Sequence, residues 1–350
     1  MIGDGLAGSL LALSLARRGA AVQLIGSPEG TATALSYGAL PRGGPSRAWS
    51  RLERLHGPMG WQASGLVWHD RRPGPPGALA ALTRALPLPI ARVDAPTWMA
   101  ARGRLLAAAG VRRLVGQVRS LRLDPHRRWR LEWLAPPVAG SDRTETTDLA
   151  VETVVLAVGA GSRGLWPALP PRLRHSWAGV LLVDAAGPAT PWLDLARSGR
   201  IVQPLRWRRP ALEATAATLA QPAWIVDAGM APWGEGVVAG QISLIPPAAP
   251  SASPGTLREP PDPRWMEARL REGLGELDPA LARLDAPYRQ VPVSFCVDGQ
   301  PLVGPVPDAP GLWTFTGFSG AFARVPTLAE RLATQLLATA PLPAPGSPPT

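Results

Sequence analysis

Three glycines near the start constrain this chain more than any other feature: Gly3, Gly5 and Gly8 in MIGDGLAGSLLALSLARRGAAVQLIG. In that spacing they allow a tight turn, close approach of backbone to a pyrophosphate, and close helix–strand packing. The residues behind them follow the order such a turn requires. Leu6, Leu10, Leu11, Leu13 and Ala16 give a helix an apolar face, Gly19 suits its C-terminal cap, and Val22 to Ile25 reads as a short buried strand. Turn, helix and strand together predict an α/β fold with a dinucleotide-binding unit at its head, where a helix N-terminus offers free N–H groups to phosphate oxygens. Two departures accompany the pattern. Only Met1 and Ile2 precede the first glycine, so the first strand reads as truncated; either the reading frame opens further upstream or the sheet folds with a gap. Gly26 stands where an acid commonly closes the second strand and holds the adenosine ribose, with Ser27 or Glu29 as nearby substitutes.

Composition removes several chemistries. At 350 residues the chain can bury more than one core. All 36 of its basic residues are arginine. Without lysine there is no pyridoxal Schiff base and no Walker phosphate loop. The arginines are scattered rather than striped with aromatics, so the net charge of +10 does not argue for a nucleic-acid partner. Cys296 is alone, and His56, His69, His126 and His175 fall in no metal-ligand spacing, so no disulfide and no metal are expected. No apolar run reaches membrane-spanning length, and a soluble cytoplasmic protein is the expectation.

Further elements follow from periodicity. Residues 97–109 and 264–275 read as helices, and 115–123 with 129–134 as a strand pair. Strand-like runs fill 153–158, 180–183, 200–203, 223–226 and 237–244. A strand at 312–316 leads through small residues into a helix from Pro326 to about Ala340, with Leu328, Leu332 and Leu336 at helical spacing. Residues 246–263 form a Pro/Ser-rich loop, and the tail 341–350 is too proline-rich to pack.

Two later blocks stand in order behind the opening turn: VETVVLAVGAGSRGLWP (Val151 to Pro167) and VDGQPLVGPVPDAPGLWTFTGFSGAFARVPTLAERLA (Val297 to Ala333). With the turn, they resemble the D-amino-acid oxidase and glycine oxidase family of FAD-dependent oxidoreductases. The resemblance implies a Rossmann-type FAD-binding domain, its first strand truncated, made of residues 1–44, 97–170 and 291–340. It also implies an α+β substrate domain with a mainly antiparallel sheet, made of 45–96 and 171–290, and leaves 341–350 as a disordered tail. It places non-covalent FAD against the turn Gly3, Asp4, Gly5, Leu6, Ala7, Gly8 and Ser9. Further contacts are implied at Ser36 in LSYGALP, Val118 beside the adenine, and Ala157, Gly159 and Ala160 beside the dinucleotide. Gly317, Phe318, Ser319, Gly320 and Ala321 would lie along the isoalloxazine ring. Cys296 does not match the family's covalent flavin cysteine in spacing.

The substrate side matches less well. Family members bind a substrate carboxylate through an arginine five residues before the Asp298-Gly299 turn, and Val293 stands there. A second arginine sometimes lies within the GFSG turn, which here has none before Arg324. Arg289 is the nearest candidate for the catalytic site, with Arg206, Arg208 and Arg209 as others. The implied function is oxidation of the C–N bond of a small amine or amino acid by hydride transfer to flavin, with oxygen or another compound as electron acceptor. The lysine that speeds oxygen reaction in sarcosine-oxidase-like members is absent. A second reading keeps the fold without turnover, as a binding protein. A flavin monooxygenase is disfavoured because Asp298-Gly299 reads DG rather than GD, and a nicotinamide dehydrogenase because the C-terminal block would go unexplained.

Overall fold

The computed structural model describes residues 1–27, 31–70, 72, 74–135, 146–248 and 259–339. One half is a parallel sheet in the order Arg112–Val115, Gln23–Gly26, Ile2, Val154–Leu156, Leu312–Thr316, with Leu302–Pro305 antiparallel on its outer edge. The central position is held by the two residues that precede the glycine turn. The Met1 amino group donates to the Gln23 carbonyl at 2.7 Å, Ile25 N–H to Met1 at 2.9 Å and Gly3 N–H to Ile25 at 2.8 Å. On the other side Ile2 N–H donates to Val155 at 3.0 Å, and Ala157 N–H to Ile2 at 2.8 Å. The sheet therefore has no gap. Its neighbours here are themselves short, so two residues satisfy the ladder that a buried sheet needs.

The helix Leu6–Ala16 is buried on nearly every side, in keeping with its run of leucines. It packs on the long helix Ala321–Thr339, with Gly44–His56 and Ala95–Ala108 completing the layer. Leu10, Leu11, Trp49, Trp98, Phe315 and Leu332 share this core. The long helix begins at Ala321, not at Pro326 as the sequence predicts. Proline favours the first turn because it lacks an N–H, which makes Pro326 look like a start. Inside the helix it leaves the Phe322 carbonyl without its usual donor, and the Trp49 indole N–H donates to that carbonyl at 2.7 Å. A three-stranded antiparallel sheet, Gln117–Leu123, Trp129–Leu134 and Thr146–Val151, flanks this half; its last strand has no counterpart in the sequence reading.

The other half is an eight-stranded sheet in the order Tyr288–Cys296, Leu173–Val183, Gly236–Ile245, Ala223–Trp233, Arg200–Pro204, Trp61–His69, Leu88–Val93, Ala39–Leu40. All neighbours run antiparallel except Arg200–Pro204 with Trp61–His69. Pro191–Arg197 and Pro263–Leu277 cover one face around Leu181, Met230, Ile242 and Leu270. The opposite face carries Val180, Ile201, Ala231 and Val238, with Tyr37 packed on them. Alternate residues of a strand share a face, so Phe295, paired with Arg174, lies on the same side as Val180. There the short helix Arg209–Thr215, followed by Ala216, is laid over Phe295 and Ile245. The predicted loop at 246–263 falls largely outside the described residues, as does the tail 341–350. No helix among the described residues is long and apolar enough to cross a membrane.

Candidate dinucleotide and substrate site

Because the strands are parallel, their carboxyl ends meet on one edge. Ile2 runs into the glycine turn, Leu156 into Ala157–Ala160, and Thr316 into Gly317–Ala321, while Gly26 ends the second strand. In open α/β sheets such an edge is where ligands bind.

The glycines divide the work as their spacing predicts. Gly3 has φ +100°, and a Cβ there would lie 2.6 Å from the Ala157 carbonyl carbon. A Cβ on Gly8 would fall 3.0 Å from the Gly3 carbonyl carbon and nearer still to its oxygen. Gly5 is uncrowded: the nearest atom to a Cβ there would be Thr33 Oγ1 at 3.5 Å, an ordinary contact. The turn is thus closed where helix meets strand and open at the middle glycine, the cradle a pyrophosphate requires. Thr33 Oγ1 accepts from Leu6 N–H at 3.0 Å, and Ser9 Oγ donates to the Asp4 carbonyl at 2.8 Å. Leu6 is buried in the core and Ala7 packs against it.

The acid missing at Gly26 is replaced in space. A Cβ on Gly26 would lie 2.6 Å from Asp4 Oδ1 and closer to its Cγ. The Asp4 carboxylate therefore fills the volume of a side chain at the end of the second strand. Arg113 at 2.9 Å and Arg102 at 3.2 Å hold it there, and Arg102 also donates to the Asp4 carbonyl. Nothing in the local sequence signals this, because the three partners come from different elements.

The other predicted contacts gather along the same edge or beside it. Ala157 is buried against Gly3 and Gly8. Gly159 and Ala160 form a 3-10 turn, and the Gly159 carbonyl accepts from Ser162 at 2.8 Å and Thr316 at 3.3 Å. Val118 is buried at an irregularity in its strand pairing. Ser36 Oγ accepts from Gly38 N–H at 3.1 Å, setting the turn that leads into the large sheet. Gly317 (φ +79°) and Gly320 (φ +70°) flank Phe318, which meets Phe315 edge-on at 4.9 Å between ring centres. Ala321 starts the long helix. A Cβ on Gly317 would lie 2.6 Å from Cys296 Sγ, so the thiol is packed beneath the turn; burial pushes its pKa up, keeping it protonated. These residues leave room for a dinucleotide along this edge.

The structure does not bring Arg289 to this edge. It is exposed near the start of its strand and donates to the Tyr288 carbonyl at 3.0 Å. Ser294, whose Oγ is the nearest atom to a Cβ on Gly159, lies about 16 Å further along. The group that does reach the 317–321 turn is Glu213, which accepts from the Ser319 hydroxyl at 2.8 Å and from Arg209 Nε at 2.7 Å. Asp227, buried on the same side, accepts the backbone N–H groups of Arg208 and Arg209, each at 3.1 Å. Burial pushes its carboxyl above the ordinary range, against the opposing pull of those N–H groups. Burial also raises the Tyr37 phenol, whose hydroxyl donates to the Gly240 carbonyl.

No protein-family model and no curated protein matches the sequence. Solved structures do match in fold. Glycine oxidase from Geobacillus kaustophilus is 15% identical with a TM-score of 0.62, covering 97% of this chain and 94% of its own. Iminodiacetate oxidase from Chelativorans sp. BNC1 is 18% identical with a TM-score of 0.60, covering 98% and 96%. L-amino acid deaminase from Proteus myxofaciens, solved with anthranilate, is 14% identical with a TM-score of 0.60, covering 97% and 90%. The chain shares the fold of these proteins over almost its whole length.

Proposed function

We propose that this chain is an FAD-dependent oxidoreductase acting on the C–N bond of a small amine or amino acid. The observation that carries the reading is the shared edge: the open glycine cradle and the two other strand-to-turn junctions at the carboxyl ends of parallel strands. On this reading Gly3 to Ser9 hold the pyrophosphate, Asp4 offers its carboxylate to the adenosine ribose, and Val118 meets the adenine. Ala157, Gly159 and Ala160 line the dinucleotide, and Gly317 to Ala321 lie along the isoalloxazine. FAD, when bound, supplies the hydride acceptor for oxidation beside nitrogen. The chain's own contribution is alignment: the face of the large sheet that carries Val180 and Tyr37 holds substrate over the 317–321 turn and excludes water. No lysine exists to assist reaction with oxygen, so a partner other than oxygen is as well served as oxygen itself. Iminodiacetate oxidase and L-amino acid deaminase, which share the fold, agree with a substrate bearing a C–N bond.

The test is the visible absorbance of the purified chain before and after denaturation. A flavin spectrum that becomes that of free FAD on unfolding supports the reading. A colourless folded protein that also rejects added FAD overturns it and leaves a binding protein on an inherited fold.

A further inference from the structure

The helix Pro75–Ala85, which follows strand Trp61–His69, presents its large apolar residues outward. Only Ala80 and Thr83 are buried on it. Thr83 explains the seating. Strand Leu88–Val93 pairs with Trp61–His69 only as far as Leu66, and Thr83 Oγ1 accepts from the Trp68 N–H beyond that pairing at 2.8 Å. Leu79, Leu82 and Leu86 are 43%, 55% and 70% exposed, and their spacing stacks them on one side of the helix. A surface helix ordinarily turns such a stripe toward the core. Here the small residues meet the sheet, and the leucines stand out as a ridge.

The charge around this ridge has one sign. Arg84 lies on the same helix, its guanidinium 4.0 Å over the Trp192 ring of the neighbouring helix Pro191–Arg197. Strand Arg200–Pro204 ends beside His69, where Leu205 N–H donates to the His69 carbonyl at 3.0 Å. The exposed Arg206 and Trp207 therefore leave the sheet at the end from which the leucine helix is entered. The carboxylates among the described residues of these elements are already held: Asp70 accepts from Arg72 Nε at 2.9 Å, and Asp194 from Arg197 at 3.4 Å. Leucine beside tryptophan and arginine, with no unpaired acid, is the composition of a helix that lies in the headgroup layer of a membrane. We propose that this face docks on an anionic lipid surface, with Leu79, Leu82 and Leu86 among the acyl chains and Arg84 and Arg206 at the phosphates. A second copy of the chain is a poorer occupant, because two such faces set arginine against arginine. A protein partner would have to supply a groove for the ridge and acids for the arginines, whereas an anionic bilayer supplies both. The inference goes beyond the flavin reading and does not rest on it.

The test is co-sedimentation of the full chain with phosphatidylcholine vesicles, with and without about one quarter phosphatidylglycerol. The expected result is binding that requires phosphatidylglycerol and weakens as salt is raised. Leu79→Ser, Leu82→Ser and Leu86→Ser together are expected to lower the partition at least about tenfold, since the leucines no longer gain by leaving water. Arg84→Gln with Arg206→Gln is expected to lower it about fivefold per arginine and to flatten the salt dependence. All of these side chains are exposed, so circular dichroism and thermal melts are expected to stay close to wild type. Equal binding to both kinds of vesicle overturns the proposal, because charge then selects nothing. Undiminished binding of the triple leucine variant also overturns it, leaving only the general attraction of a chain with a net charge of +10. A dimer that the leucine variant dissolves, with no vesicle binding, overturns it in favour of a second copy. Binding to soluble polyglutamate and not to vesicles overturns it in favour of an acidic protein.

Discussion

The replacement of a strand-end acid by Asp4 can be tested through Gly26. In Gly26→Ala the new methyl would stand 2.6 Å from Asp4 Oδ1, well inside contact. The carboxylate is not free to swing away, because Arg113 holds it at 2.9 Å and Arg102 at 3.2 Å. Two responses are open. Keeping Asp4 in place overpacks the site, at about 1–3 kcal/mol. Rotating Asp4 strands Arg102, whose side chain is only 12% exposed. Breaking a fully buried pair costs about 3–5 kcal/mol, and the Arg113 side of this cluster is wetter, so the lower end applies. Gly26→Ala is therefore expected to lose about 2–3 kcal/mol by either route. In an Asp4→Ala background the obstruction is gone, and the same change is expected to cost less than about 1 kcal/mol, a coupling of about 1–2 kcal/mol. Urea midpoints with matched slopes measure all four corners of the cycle. Gly26→Glu on Asp4→Ala then returns a carboxylate to the strand end, and FAD titration is expected to show affinity recovering with it. If Gly26→Ala is as stable as wild type, or the two changes are additive, Asp4 does not fill that volume.

Three further expectations follow from the same geometry. Gly5→Ala is expected to fold with near-native stability but bind FAD weakly, whereas Gly8→Ala, whose methyl meets the Gly3 carbonyl, is expected to lose folded protein; thermal melts and FAD titration separate the two. Trp49→Phe is expected to cost about 1–3 kcal/mol by leaving the Phe322 carbonyl without a donor, and less in a Pro326→Ala background that restores the helix N–H; a denaturation cycle reads the difference. The Asp227 carboxyl is raised in the folded state, so its contribution is fully present below the unfolded value of about 3.9 and declines as pH rises through the folded one. Asp227→Asn is accordingly expected to gain in Tm relative to wild type as pH rises from about 4, and a difference that shrinks over that range contradicts the assignment.

What the sequence made legible was set by local chemistry. Gly3 and Gly8 are written into the chain because no other residue fits their backbone or their space, and the leucine run of the first helix advertises its burial. What stayed hidden depends on partners far along the chain. Counting residues before Gly3 predicts a missing strand, yet a ladder is satisfied by N–H and carbonyl groups, and Met1 and Ile2 carry enough of them for neighbours as short as Val154–Leu156. Pro326 reads as a helix start because the donor that lets it sit inside the helix is Trp49, on another element. The acid at Gly26 looks absent because its substitute arrives from the turn, held by arginines of a helix and a distant strand. Arg209 differs from its neighbours in LRWRRP by standing four residues before Glu213, a pairing the helix makes locally; what the sequence does not show is that the fold then brings Glu213 to Ser319, over a hundred residues away. Backbone requirements are thus read from one residue at a time, whereas each charged group of the candidate site takes its meaning from a pair, and a pair separated by a hundred residues leaves no pattern in either partner's own surroundings.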